Sequence, residues 1–111
     1  MKSKTQSEFT TKDSGERSEF DNGFVRDTNK GKIRYDLIPP EMLKRLAELY
    51  TRGAEKYTEN NWKLATGEKA INRFKESAWR HFMDWQTNSN AEEDHAMACC
   101  FNVFAYESLT K

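Results

Sequence analysis

The sequence has no long hydrophobic run and no excess of charge of either sign. No stretch approaches the ~20 consecutive apolar residues that a membrane-spanning helix needs. The 18 basic and 18 acidic side chains give a formal net charge of zero, whereas general nucleic-acid and membrane-surface binders carry a basic excess. Residues 1–10 include lysines but lack the apolar core of a signal peptide. The sequence therefore predicts a cytoplasmic protein that binds neither membranes nor nucleic acids in general.

Cysteine is scarce, and the best-known nucleotide and metal motifs are missing. The two cysteines, Cys99 and Cys100, are adjacent. Neighbouring side chains on a helix point about 100° apart, so two reduced thiols are expected rather than a disulfide. The sequence has no P-loop, no GxGxxG loop and no HExxH motif. Function must therefore be inferred from less diagnostic patterns.

The chain has two regions of different composition. Residues 1–30 contain few apolar side chains among Lys, Glu, Ser, Thr, Asp and Gly. Such a segment buries too little surface to offset the entropy that is lost on ordering. A polar, flexible N-terminal tail is therefore predicted for residues 1–30, and a single α-helical domain for residues 31–111.

Three main helices are predicted, because apolar residues recur with the helical period. They span about residues 40–57, 69–86 and 91–109, and the third is apolar on nearly every side. A helix of that kind is buried over most of its surface, yet two neighbouring helices of this size offer a thin core. The predicted all-α fold is thus a small bundle completed by homo-oligomerisation, as a dimer or tetramer. The alternative is a short fourth N-terminal element that covers the third helix.

Gly53 interrupts the first predicted helix. Glycine lowers helix stability relative to alanine, so its presence needs a reason. Two reasons fit: a close approach by another helix, or a ligand that lies against the backbone.

Several polar residues fall on apolar helix faces or beside them. His95 and Asn102 share one face of the third helix, and His81 flanks the apolar face of the second. Each has an ordinary structural explanation: such histidines are usually hydrogen-bonded core residues, acidic residues in a first turn interact with the helix dipole, and Glu76 with Arg80 forms a weak surface pair. Taken together, these histidines, carboxylates and amide would suit a hard cation such as Mg²⁺ or Mn²⁺.

Basic and aromatic residues complete a pattern that is typical of a nucleotide site. Arg34, Lys56 and Arg80 would neutralise phosphates, with arginine binding in a bidentate manner. Tyr57 or Trp62 would stack on a base, since each offers a flat face and a polar group. We expect these side chains to meet in one common cleft.

Four pieces of the sequence, GKIRYDLIPPEML, GAEKYTENNW, RHFMDW and EDHAMACCFN, resemble the N-terminal domain of the phage dATP/dGTP diphosphohydrolase family. That family is related in kind to MazG-like all-α nucleotide pyrophosphohydrolases, and the resemblance covers about residues 30–108. It implies an oligomeric helical bundle that would act in a host cytoplasm. It also implies metal-dependent cleavage of purine deoxynucleoside triphosphates to the monophosphate and pyrophosphate.

The resemblance also implies the site residues, which we combine with the acidic Glu76. The catalytic candidates are His81, Glu93 and Asp94, with His81 as a general base. The candidate ligands of Mg²⁺ or Mn²⁺ are Glu76, Glu93, Asp94 and His95. The candidate substrate-binding residues are Lys32, Arg34, Asp36, Lys56, Tyr57, Asn61, Trp62, Arg80 and Asn102.

Two departures from the family pattern favour alternatives to an enzyme. Ala98 stands where the family often has a second histidine, and the paired ExxE and ExxD motifs of MazG-like enzymes are missing. The first alternative is a phage-encoded sponge or sensor that binds a nucleotide on the same scaffold without cleaving it. The second is an interaction module with no ligand, in which His95 and Asn102 are satisfied core residues.

Overall fold

The computed structural model describes residues 10–111 and divides into two compact units, Met1–Tyr35 and Asp36–Lys111. In the first unit, strands β1 (Arg17–Glu19) and β2 (Val25–Asp27) form an antiparallel hairpin. Gly23 in the turn has a φ of 83°, a left-handed conformation that glycine adopts without steric penalty. The predicted flexible tail thus contains a hairpin that the sequence analysis did not predict. Residues 1–9 of that tail lie outside the described residues.

The hairpin was not predicted because its strands are short and because ion pairs help to stabilise it. The Arg17 guanidinium donates to both carboxylate oxygens of Asp13, at 2.7 and 2.8 Å, and to Asp27 across the hairpin at 3.3 Å. Strands of three residues are too short to show a period-two pattern. Polar contacts of this kind leave no hydrophobic pattern in a sequence.

The second unit is helical, which confirms the predicted fold class. Two short 3₁₀ helices, Tyr35–Leu37 and Asn61–Leu64, accompany three α-helices: α1 (Pro40–Lys56), α2 (Glu68–Thr87) and α3 (His95–Thr110). The bounds of α1 and α2 lie within one residue of the prediction. Among residues 10–111, no helix combines the length and the apolarity that crossing a bilayer would require.

The start of α3 corrects the sequence analysis, which placed it at residue 91. The helix begins at His95, and Asp94 is its N-cap, with a carboxylate that accepts from the Met97 N–H at 3.3 Å. Just before it, Asn88 and Asn90 adopt left-handed backbone conformations, which end α2 and form a turn. Capping by Asp94 satisfies an N–H group that has no partner within the helix, so the helix begins after it.

The helix α3 is the centre of the second unit. Its Phe101 ring meets Tyr50 of α1 at 5.1 Å between centroids and Phe74 of α2 at 6.4 Å, both edge-on. Because His81 of α2 meets His95 at the other end, α2 runs antiparallel to α3. The prediction that the third helix is buried over most of its surface holds in part. The buried residues among those described all lie on it, namely His95, Met97, Asn102 and Ala105, but Val103 and Phe104 of the same helix are exposed at 44% and 46%.

A bidentate ion pair ties α1 to the start of α3. Arg45 donates from Nε and Nη2 to the two carboxylate oxygens of Asp94, at 3.0 and 2.6 Å. The Arg45 guanidinium holds the pKa of Asp94 below its usual range. A carboxyl group with a lowered pKa stabilises the fold above its unfolded-state pKa of about 4, and this stabilisation is lost as the pH falls through the folded-state value.

We expect Asp94→Asn to lower the free energy of unfolding at pH 7 by about 0.5 kcal/mol, because it removes the charge and keeps an N-cap acceptor. Asp94→Ala removes both the charge and the N-cap acceptor, and it should lower the free energy of unfolding by about 1–1.5 kcal/mol. Urea denaturation followed by circular dichroism measures both changes. The difference between wild type and Asp94→Asn should begin to shrink as the pH falls below the unfolded-state pKa of about 4, and it should vanish once the pH has passed through the lower pKa of the folded state.

Glu92→Gln is the matched control, since Glu92 is an exposed carboxylate in the turn before α3. We expect it to leave stability nearly unchanged. Equal stability of Asp94→Ala and wild type at pH 7 would contradict the structural role of Asp94.

Candidate functional site

A cavity of about 830 Å³ lies between the second half of α1, the 3₁₀ helix Asn61–Leu64, and the aromatic residues of α2 and α3. Three of the predicted substrate-binding residues, Tyr57, Asn61 and Trp62, line it together. The volume is within the range of about 300–1,000 Å³ that is usual for small-molecule sites. The cavity therefore brings together three of the predicted substrate-binding residues, and all three come from the sequence piece GAEKYTENNW.

A turn after α1 brings the two halves of the piece GAEKYTENNW to the same cavity. Helix α1 ends where the Tyr57 N–H donates to the Gly53 carbonyl at 3.0 Å. Asn60 then adopts a left-handed conformation with a φ of 59°, which asparagine tolerates better than most residues. The turn starts the short 3₁₀ helix that carries Asn61 and Trp62 back past the end of α1.

The cavity wall combines aromatic, aliphatic and polar residues. Tyr50, Phe74 and Phe101 form its aromatic side, and burial raises the pKa of the Tyr50 phenol, so the phenol stays protonated. Asn61 offers both a hydrogen-bond donor and an acceptor. Such a wall suits a flat heterocycle with polar edges, because aromatic faces stack on it and amides pair with its rim.

Gly53 also lines the cavity, and its surroundings decide between the two explanations for this glycine. A Cβ atom added at Gly53 would meet no other atom within 4 Å. The close approach of another helix is therefore excluded within the described residues. The other explanation, a ligand that lies against the backbone, stays a prediction, and the cavity leaves room for one.

A second cluster contains the two histidines of the chain. Their Nδ1 atoms are 2.9 Å apart, and Nε2 of His95 lies 2.8 Å from the carbonyl oxygen of Asn90. Only 5% of the His95 surface is exposed. Burial, together with the neighbouring His95, lowers the pKa of His81, so His81 is neutral at physiological pH. A neutral imidazole has one nitrogen that can accept a proton.

The donor groups of this cluster do not fit a metal ion within one chain. Both ring nitrogens of His95 and both carboxylate oxygens of Asp94 already have partners. Over residues 10–111, no group of three His, Cys, Asp or Glu side chains is arranged to hold a metal. The predicted ligands Glu76 and Glu93 are exposed, and the Glu76 carboxylate is 3.8 Å from Nε of Arg73 rather than paired with Arg80.

The comparison with known proteins gives a family. A profile described as "dATP/dGTP diphosphohydrolase, N-terminal" matches residues 23–110, which is most of the chain. The chain belongs to the dATP/dGTP diphosphohydrolase N-terminal family. The matched segment contains the cavity and all of the predicted site residues. No curated protein and no solved structure matches the chain.

In this family member, the remaining predicted residues of the second unit lie outside the cavity wall. Lys56 is beside the cavity, with its ammonium 5.1 Å from the centroid of the Tyr57 ring. Arg80 donates to the Ser77 hydroxyl at 3.2 Å. The Asn102 amide donates to the Ala98 carbonyl at 2.8 Å, as a satisfied core residue does.

The residues of the first motif lie around the boundary between the two units. Lys32 and Arg34 belong to the first unit, where the Lys32 N–H donates to the Asn29 carbonyl at 3.0 Å. Asp36 begins the second unit, inside the 3₁₀ helix Tyr35–Leu37. All three are exposed.

The described contacts do not place the predicted residues of the second unit in one cleft. Asp94 and Phe101 mark two levels of α3 that are about 10 Å apart along its axis. Tyr57, Asn61 and Trp62 share the cavity at the level of Phe101, whereas the histidine pair lies at the level of Asp94. The predicted single cleft is thus replaced by two neighbouring sites.

The structure adds Arg73 to the cavity, a residue that the sequence analysis missed. It lines the cavity from α2 and is the only guanidinium among the lining residues described. Nothing in the local sequence distinguishes it from other basic residues on a helix surface. Its place at the cavity depends on how α1 and α2 both pack against α3, which the local sequence does not encode.

We expect Gly53→Ala to raise the free energy of unfolding by about 0.5–1 kcal/mol, because alanine favours the helix and its Cβ meets open space. The matched control is Ala47→Gly, at an exposed position of the same helix. It should lower stability by a similar amount. Thermal and urea denaturation measure both, and a destabilised Gly53→Ala would show that this site is closely packed.

Proposed function

We propose that the protein binds a purine deoxynucleoside triphosphate with its base in the cavity and hydrolyses it to the monophosphate and pyrophosphate. The observation that carries the proposal is the convergence of Tyr57, Asn61 and Trp62 on one cavity in a chain of this family. Each of these residues has the chemistry that a purine requires. Aromatic rings stack on its faces, and an amide pairs with its edge.

Basic groups near the cavity support the binding of the phosphates. Lys56 is adjacent to Tyr57 in the chain, and Arg73 lines the cavity. Arg80 lies further along α2, next to His81. Phosphate oxygens pair strongly with such cations. The triphosphate would therefore extend from the cavity toward the level of the histidine pair.

His81 supplies the general base of the proposed reaction. Its neutral ring accepts a proton from water as the water oxygen attacks the α-phosphorus. The bond between the α-phosphorus and the bridging oxygen to the β-phosphorus then breaks, and pyrophosphate leaves with its electron pair. General bases of this kind contribute about 10²–10⁴-fold to a rate. No step is assigned to a metal, because the described donors of one chain do not form a metal site; the need for Mg²⁺ or Mn²⁺ stays a prediction.

A non-cleaving nucleotide sponge or sensor is the second candidate function. The engagement of Asp94 by Arg45 and the separation of the carboxylates favour it. A protein of this kind needs the cavity but needs no activated water. The two candidates therefore differ in product formation and agree on binding.

The test of the proposed function is product analysis with dATP and dGTP in the presence of Mg²⁺ or Mn²⁺. We expect monophosphate and pyrophosphate, with dissociation constants from calorimetry that rise about tenfold or more in Trp62→Ala. The loss of one stacking face accounts for that rise. Trp85→Ala is the matched control, since Trp85 is 54% exposed on α2 and is not part of the cavity wall.

Two results would contradict the leading proposal in different ways. Tight binding with no pyrophosphate release would establish the sponge or sensor instead. No binding of any purine nucleotide would exclude both candidates, and an equal effect of Trp62→Ala and Trp85→Ala would exclude the cavity as the site.

We also propose that the protein is a homo-oligomer through an exposed apolar face, defined by Trp79, Phe82 and Met83 of α2 with Val103 and Phe104 of α3. All five side chains are substantially exposed, Phe104 at 46%. The two helices adjoin there, because Ala78 and Val103 line the same small cleft. Monomeric proteins rarely expose large contiguous apolar patches, so a second copy is the occupant that we propose for this face.

We expect Phe104→Glu to convert the oligomer into a monomer, because a carboxylate within an apolar interface is costly to desolvate. Light scattering after size exclusion measures the mass. Leu43→Glu, at an exposed apolar position on α1, is the control and should keep the oligomer. A wild-type protein that is monomeric at micromolar concentration would refute this interface.

A further inference from the structure

We propose that Glu59 determines which purine the cavity accepts: its carboxylate binds the N1–H and 2-amino groups of guanine, so that dGTP is preferred over dATP. The name of the family includes both nucleotides, and the stacking and amide contacts described above suit either base. The inference rests on the proposed function for the place of the base in the cavity, and it does not depend on cleavage.

Glu59 lines the cavity between two of the residues that are proposed to hold the base. Tyr57 precedes it and Asn61 follows it, each two positions away, and all three line the cavity. The turn around Glu59 is closed by the Asn61 N–H, which donates to the Thr58 carbonyl at 3.2 Å. Asn60, the next residue, has the left-handed φ of 59°. The backbone of Glu59 is therefore held beside the residues that would contact the base.

The carboxylate of Glu59 is available to a ligand. Its side chain is exposed, and no ion pair or hydrogen bond joins it to another side chain among residues 10–111. It is also the only carboxylate among the described residues that line the cavity. A carboxylate repels phosphate oxygens, so it does not fit the triphosphate. What it does fit is a group that donates hydrogen bonds to both of its oxygens.

Guanine has such a group, and adenine does not. The N1–H and the 2-amino group of guanine are adjacent donors that match the two oxygens of one carboxylate, and an ionised carboxylate only accepts. The corresponding edge of adenine has an N1 lone pair beside the 6-amino group. One carboxylate oxygen would therefore face a lone pair and lose its hydrogen bond.

The amide of Asn61 does not make this distinction by itself. It has one donating and one accepting end, and a turn of the amide would match either purine. A group that only accepts, such as the Glu59 carboxylate, cannot adapt in this way. Sites that hydrogen-bond to particular substrate groups strongly reject analogues that lack them. The preference for guanine therefore follows from Glu59 rather than from Asn61.

Calorimetric binding of the α,β-methylene analogues of dGTP and dATP tests the inference without cleavage. We expect wild type to bind the dGTP analogue about tenfold or more tightly, since a bidentate pair with a base gives discrimination of that order. The corresponding deoxyinosine analogue keeps N1–H and lacks the 2-amino group, so it should bind with intermediate affinity.

Glu59→Gln should reverse the preference. The glutamine amide donates to N1 of adenine and accepts from its 6-amino group, whereas its NH₂ group opposes a donor of guanine. We expect the dGTP analogue to bind about tenfold more weakly than to wild type and the dATP analogue to bind more tightly. A role of Glu59 in charge alone would not produce opposite changes.

Glu55→Gln is the matched control, because Glu55 is an exposed carboxylate four residues earlier, on α1, and is not part of the cavity wall. Removing its charge should change the affinity for both analogues by the same small factor. If Glu59→Gln also shifts both affinities equally, Glu59 acts only through its charge and the inference is overturned.

The outcomes distinguish this inference from the proposed function. Wild type that binds the two analogues equally, or prefers the dATP analogue, would overturn the role of Glu59 and leave the purine site standing. Tight binding of the dGTP analogue without pyrophosphate release from dGTP would refute the hydrolysis and leave the guanine preference intact. If neither analogue binds, the purine site and the role of Glu59 fail together.

Discussion

The apolar helix α3 can be kept from water only by side chains that the other elements bring to it. Tyr50 of α1 and Phe74 of α2 both meet Phe101, and all of the buried residues among those described lie on α3. Covering one helix with only two others leaves gaps, because helices that meet a third on different sides diverge from each other. The cavity lies in one such gap, beside the end of α1, and the exposed apolar face is another. The candidate site and the proposed interface thus have the same physical origin.

Different levels of α3 carry different chemistry. At the level of Phe101 the surroundings are aromatic and spacious, which suits a flat ring. About 10 Å away along the helix axis, the start of α3 concentrates polar contacts: the ion pair of Arg45 with Asp94 and the imidazole pair. These contacts provide partners for the polar side chains at the start of an otherwise apolar helix. A nucleotide would join the two levels, with its base at one and its phosphates toward the other.

The structural features that could be predicted from the sequence are those that depend on a local residue pattern, above all the bounds of the helices. Helical periodicity predicted the bounds of α1 and α2 to within one residue. The contacts of Arg45 with Asp94 and of His81 with His95 were not predicted. They depend on how one helix is shifted along another, and a single sequence carries no direct pattern for that shift. The predicted start of α3 was wrong for a different reason: an acidic run fits either the first turn of a helix or the loop before it.

The central claim is that a purine base occupies the cavity beside Gly53. A crystal structure with the α,β-methylene analogue of dGTP, whose scissile bond cannot be hydrolysed, tests it most directly. The account predicts the base against Tyr57 and Trp62, within hydrogen-bond distance of Asn61, and the triphosphate directed toward the level of His81. A nucleotide bound elsewhere, with the cavity empty, would contradict it.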